Sequence, residues 1–174
     1  MNFAGLSLSW SFCGYLAVVT VTAALLHYLR RMPRFFSLIS LPGTVGHELL
    51  HFLVGTLTLA KPVRVSLIPK FHRDGSVTLG YVMFSNIRWY NALWVGFAPL
   101  LALPAALWLV YYRASQIPPL SMSELAWSYV AASLVYSCVP SRADVGIVLS
   151  KRAGLIVYLG GAAILCWAWL KMTA

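Results

Sequence analysis

Val45-Gly46-His47-Glu48-Leu49-Leu50-His51-Phe52 occupies the middle of an apolar segment that runs from Phe35 to about Ala60. A helical period puts His47 and His51, four residues apart, on one face and one turn from each other. Two imidazole nitrogens at that spacing reach one tetrahedral metal ion, and Glu48 beside them is placed to act as general base on a metal-bound water. H-E-x-x-H also arises by chance on soluble helices, and its bland reading is a buried structural His–Glu cluster. Here the flanking residues are apolar enough to lie in lipid, where an unpaired carboxylate is costly and ionisable groups usually serve a function. The zinc reading outweighs the bland one.

Composition points the same way. Of 174 residues, 60% are hydrophobic and 10% charged, and the mean hydropathy is +0.79. Such a balance describes a single integral membrane domain, residues 1–174, rather than a soluble one. A net charge of +9 would suggest nucleic acid in a soluble chain, but here the 13 Lys and Arg cluster between apolar segments and anchor spans at headgroups. No basic stretch interleaves with aromatics in a soluble module, so no nucleic-acid partner is expected. The only acidic residues are Glu48, Asp74, Glu124 and Asp144, which makes each one informative. Cys13, Cys138 and Cys166 fall in apolar segments without C-x-x-C spacing and read as small buried hydrophobes. The first apolar run is too long for a signal peptide and lacks its basic start, so it is expected to stay in the mature protein.

The expected fold is an all-α polytopic membrane protein of about five transmembrane helices, with a small β-hairpin at the membrane surface between the second and third. Residues 6–29 carry no formal charge and are long enough to cross a hydrocarbon core of about 30 Å. His27 sits at the end of this span beside Arg30 and Arg31 and reads as interfacial. Residues 35–60 form the second span, kinked or loosened near Pro42 and Gly43. Two alternating segments around Arg73-Asp74-Gly75-Ser76 make residues 63–84 a hairpin, with Asp74 in its turn. Residues 92–112 form a third span containing Pro99 and Pro104, after which Pro118 and Pro119 lie in a short loop. Ser121-Met122-Ser123-Glu124 fits a capping box opening the fourth helix, which occupies Glu124. That helix, 125–149, is apolar only to Val139; fifteen residues rise roughly 22 Å, so Pro140 to Asp144 should break it near membrane depth. Residues 153–170 form the fifth span.

Two His leave a catalytic zinc one protein ligand short. With Glu124 assigned to a cap and Asp74 to a turn, Asp144 remains as the third ligand, unless it pairs with Arg142 at the interface. Cys138 and His27 are weaker alternatives, since both residue types ligate zinc.

At these residues the chain resembles the site-2 protease family of intramembrane zinc metalloproteases. Gly46-His47-Glu48-Leu49-Leu50-His51 matches the family's metal motif, and Gly96-Phe97-Ala98-Pro99-Leu100-Leu101 looks like its middle core helix. Pro140-Ser141-Arg142-Ala143-Asp144-Val145-Gly146 looks like a reduced form of its Asn-Pro, Asp-Gly motif, with Val139 in place of Asn and Val145 inserted before Gly146. The resemblance covers roughly residues 40–150. It implies a three-span core, Zn2+ held by His47, His51 and Asp144, and Glu48 as the base that activates a zinc-bound water.

The expected function is therefore that of a zinc metalloendopeptidase hydrolysing membrane protein or peptide substrates within the bilayer. The hairpin would hold the extended substrate, and Arg142 is a candidate for the oxyanion. The alternative is a non-enzymatic zinc-binding membrane protein, such as a carrier, sensor or assembly subunit. The compact form looks prokaryotic, which suggests a multi-pass protein of the cytoplasmic membrane. Alternating spans with a cytoplasmic N-terminus put eight Lys and Arg inside against five outside, with Arg30, Arg31 and Arg34 opposing the majority.

Overall fold

The computed structural model describes residues 2–3, 6–7, 10–115 and 121–173. Leu8 and Ser9 of the expected first span, and Pro118 and Pro119 of the expected loop, lie outside them. The first helix starts later than expected. Asn2–Phe3 (β1) pairs with Leu6–Ser7 (β2), and α1 runs Trp10–Leu29.

The expected second span is two helices, α2 (Pro33–Ile39) and α3 (Leu41–Leu57). Pro42 explains the break: in one continuous helix its ring would clash with the Leu38 carbonyl, whereas in the first turn of α3 its missing N–H costs nothing. The expected hairpin is present but interrupted. Pro62–Ser66 (β3) pairs with Tyr81–Phe84 (β6), and Lys70–Phe71 (β4) pairs with Val77–Thr78 (β5). At its tip Gly75 takes a φ of +84°, and Asp74 accepts from the Ser76 hydroxyl and N–H, which hold its carboxyl below the usual range.

Beyond the hairpin come α4 (Ala92–Phe97), a 3-10 turn (Ala98–Leu101) that contains Pro99, and α5 (Ala102–Ala114). Then follow α6 (Met122–Ser137), α7 (Arg142–Ser150) and α8 (Arg152–Thr173). The break at Pro140 falls where fifteen apolar residues ran out. Among the described residues three helical stretches are long and apolar enough to cross a membrane: Phe12–Leu29, Ala92–Ala114 and Arg152–Thr173. The 17 residues of α3 and the 16 of α6 rise only about 25 Å, short of a hydrocarbon core.

Helix directions depart from simple alternation. Tyr15 meets Glu124 near the starts of α1 and α6, and the rings of His27 and Tyr136 face each other near their ends, so these helices run parallel. Buried Tyr15, Val19, Val110, Ala131 and Ala132 pack the space between α1, α5 and α6. Helix α3 is parallel to α6 too: Tyr129 donates to the Ile39 carbonyl, Gly43 lies on Ser133, and His47 reaches Ser137. Helix α2 makes this possible by turning the chain back from the level of Tyr136, where Phe36 packs, to that of Tyr129. Buried Asn91 then ties the start of α4 to the end of α3, donating to the carbonyls of Thr58 and Asn86 and accepting the Arg88 N–H. Helix α8 runs beside α4, with Gly154 against the Trp89 carbonyl and Tyr158 bonded to Trp94.

One end of the bundle therefore collects the ends of α1, α3 and α6, the hairpin, and the starts of α4 and α8. All of the 13 Lys and Arg lie toward it except Arg113 and Lys171. This replaces the expected eight-to-five division, because α1 and α3 point the same way.

Candidate metal centre

Helix α3 supplies His47 and His51 from successive turns, as their spacing requires. Each ring is oriented by a backbone carbonyl from another helix. His47 Nδ1 lies 2.7 Å from the Ser137 carbonyl at the end of α6, and His51 Nδ1 lies 2.9 Å from the Val95 carbonyl in α4. With the hydrogens on Nδ1, both Nε2 lone pairs point into the space between the helices.

Asp144 enters that space from the first turn of α7. Its Oδ1 is 3.0 Å from His51 Nε2, its Oδ2 is 3.4 Å from His47 Nε2, and the two Nε2 atoms are 3.2 Å apart. Tetrahedral coordination with metal–donor bonds of about 2.0–2.2 Å puts donor atoms about 3.3–3.6 Å apart. Three lone-pair donors thus converge at close to the edge length of a coordination tetrahedron, an arrangement that needs a cation or protons at its centre. Two imidazoles and one carboxylate fit a divalent cation with a fourth position left open.

Asp144 is held there by a complete capping box. Its Oδ2 accepts the Ser141 N–H at 2.6 Å, and the Ser141 hydroxyl accepts the Asp144 N–H at 3.2 Å. Close packing fixes α7 on α4: a Cβ on Gly96 would strike Val148 and the Asp144 carbonyl. Gly96 thus has a local purpose, letting the helix that carries Asp144 approach the helix that orients His51.

The reciprocal capping box expected at Glu124 is found at Asp144 instead. Ser121 does cap α6 by accepting the Glu124 N–H, but the Glu124 carboxylate does not return to Ser121. It is fully buried and takes hydrogen bonds from Tyr15 and Arg113, joining α1, α5 and α6. The full box belongs to Asp144. Asp144 nonetheless lies with the two His, as expected of a third ligand, while also carrying the cap.

Among the described residues Arg142 forms no ion pair with Asp144; it is exposed and does not line the cavity, which gives the expected oxyanion role no support. Cys138 is buried with its thiol donating to the Val135 carbonyl and stands outside the ligand group. His27 is likewise outside that group but lines the same cavity.

That cavity, about 660 Å3, contains His47, Glu48 and Asp144 and is bordered by the end of α1, the end of α6 and hairpin residues Leu79 to Val82. Glu48 is mostly buried, and among the described residues no hydrogen bond or ion pair reaches its carboxylate. Gly80 covers it: a Cβ there would meet Glu48 Cγ at 2.7 Å and the Ser66 carbonyl at 3.0 Å. Nothing in the sequence marks Ser137 or Val95, since they contribute carbonyls that every residue possesses. Ser141-x-x-Asp144 does carry a capping signature that would have placed the carboxylate at a helix start. No protein-family model, curated protein or solved structure matches the chain.

Proposed function

We propose that this protein is a multi-pass integral membrane zinc metalloendopeptidase of the site-2 protease kind. The observation that carries the reading is the convergence of His47, His51 and Asp144 beside Glu48, whose carboxylate has no partner among the described residues, at a cavity of about 660 Å3 lined by His47, Glu48 and Asp144. His47, His51 and Asp144 would hold Zn2+, which would supply Lewis acidity for a scissile carbonyl and for the acidity of the attacking water. Glu48 takes a proton from the attacking water as the C–O bond forms and returns it to the amine as the C–N bond breaks. The Ser137 and Val95 carbonyls hold the imidazoles in the tautomer this requires, and the Ser141 N–H holds the carboxylate.

A substrate in this cavity has to be extended, because a helix hides its carbonyls. Among the described residues strand β6 pairs with β3 alone, and Leu79 to Val82 line the cavity, so its other edge is placed to accept a substrate strand. In this reading α3 with α2, and α6 with α7, complete the second and fourth of five membrane segments. The basic end is cytoplasmic, since eleven of the 13 Lys and Arg lie toward it. The N-terminus is then external, while the hairpin and the cavity mouth are cytoplasmic.

The test compares wild-type protein with Glu48→Gln, both purified with bound metal quantified and both expressed in membranes whose new protein N-termini are sequenced. The amide keeps the shape of the carboxylate and cannot act as base. Equal zinc in both proteins, with cleavage products only from the wild type, is the expected result. Identical N-termini from the two proteins would favour a zinc carrier, sensor or assembly subunit instead.

A further inference from the structure

A second, open cleft of about 390 Å3 lies at the basic end, lined by Ser85, Asn86, Arg88, Trp89 and Lys151 among others. Its walls come from the segment leading into α4 and from the end of α7. Arg88 Nε donates to Asn86 Oδ1 at 2.8 Å, which anchors the guanidinium at one edge and leaves its terminal N–H groups for another acceptor. Lys151 caps the end of α7 and is exposed, and among the described residues no hydrogen bond or ion pair takes up its ammonium. No carboxylate lines the cleft, and among the described residues none of the ion pairs involves Arg88 or Lys151. Two cations share a cleft without a counter-charge.

The level of the cleft identifies the counter-charge. Helix α8 has 22 residues and rises about 33 Å, close to a hydrocarbon core of about 30 Å. Lys171, whose ammonium lies 4.4 Å from the Trp167 ring centre, marks one interface, and Lys151 then lies at the other. Trp89, half exposed, with Tyr90, Trp94 and Tyr158, forms an aromatic cluster of the kind found at headgroup level.

We propose that this cleft binds the phosphate of an anionic phospholipid headgroup, held between Arg88 and Lys151, with Trp89 against the glycerol and upper acyl chain. The inference rests on the membrane reading above and is independent of any proteolytic activity.

The test uses full-length protein in nanodiscs of equal phosphatidylcholine and phosphatidylglycerol, with retained lipid read by native mass spectrometry. Wild type is expected to retain phosphatidylglycerol over phosphatidylcholine by roughly tenfold or more, the scale set by two interfacial cations. Arg88→Gln/Lys151→Gln should remove the preference, and Lys151→Gln alone, at an exposed helix end, should reduce it. Arg64→Gln, exposed on β3, and Lys171→Gln, at the far end of α8, should leave it intact. Zinc content and thermal unfolding check the fold of each variant. Equal retention of the two lipids by wild type, or an unchanged preference in the double variant, would overturn the headgroup site. Displacement of phosphatidylglycerol by inorganic phosphate would assign the cleft to free phosphate and overturn it as well. Release of the wild-type chain from membranes by alkaline carbonate would instead refute the membrane reading, an outcome separate from lipid preference.

Discussion

Asp144 and Ser141 hold each other at the start of α7: the Ser141 N–H donates to Asp144 Oδ2 at 2.6 Å while the other carboxylate oxygen lies 3.0 Å from His51 Nε2. One carboxylate thus caps a helix and completes a group of three donors that could hold a metal ion. Capping orients it, and the helix start supplies N–H groups that offset its desolvation. Its geometry at the metal centre therefore depends on Ser141 as well as on the His.

Ser141→Ala should weaken zinc binding by about tenfold, the lower range for a residue that positions a ligand. The backbone N–H still reaches Asp144 in this variant, so binding is reduced rather than lost. Competition against a chromophoric chelator measures it, and unchanged affinity would show that the hydroxyl does not position the carboxylate.

Asp144→Ala should abolish stoichiometric zinc, whereas Arg142→Ala, at an exposed position, should retain it. Metal analysis of the purified variants decides the matter. Full zinc in Asp144→Ala would remove Asp144 from the ligand set, and His27, which lines the same cavity, would be the next residue to test.

Gly80→Ala should leave zinc content unchanged and lower kcat, because the new methyl displaces Glu48 and touches no ligand. Leu79 lies between the two hairpin ladders, so Leu79→Pro removes no ladder bond and should raise KM if the edge receives the substrate. Once a substrate is in hand, steady-state kinetics separate these two effects. A matching loss of metal in either variant would make the hairpin structural.

Glu124→Gln should lower the melting temperature by several degrees with zinc content intact. The substitution leaves Arg113 and Tyr15 facing a neutral amide, and Glu124 is 13 residues from Ser137 along α6, roughly 20 Å from the metal centre. Thermal unfolding and metal analysis of the same sample test both halves.

Much of this was legible locally. Helical period alone puts His47 and His51 on one face, Asp74-Gly75 sets a turn, and fifteen apolar residues before Pro140 forecast the break that starts α7. These signals act within a few residues, where backbone sterics and side-chain spacing decide the outcome. The tertiary structure decided what depends on distant surfaces meeting. It turned α2 back so that α1 and α3 run parallel, which moves Arg30, Arg31 and Arg34 to the basic end. It gave Glu124 to Tyr15 and Arg113 in place of its own cap, because a carboxylate buried among three helices takes the charged partner within reach. It also brought the carbonyls of Ser137 and Val95 to the two imidazoles. No residue type encodes such a contact: a carbonyl is the same at every position, and only the packing of α3 against α4 and α6 selects which ones orient the ligands.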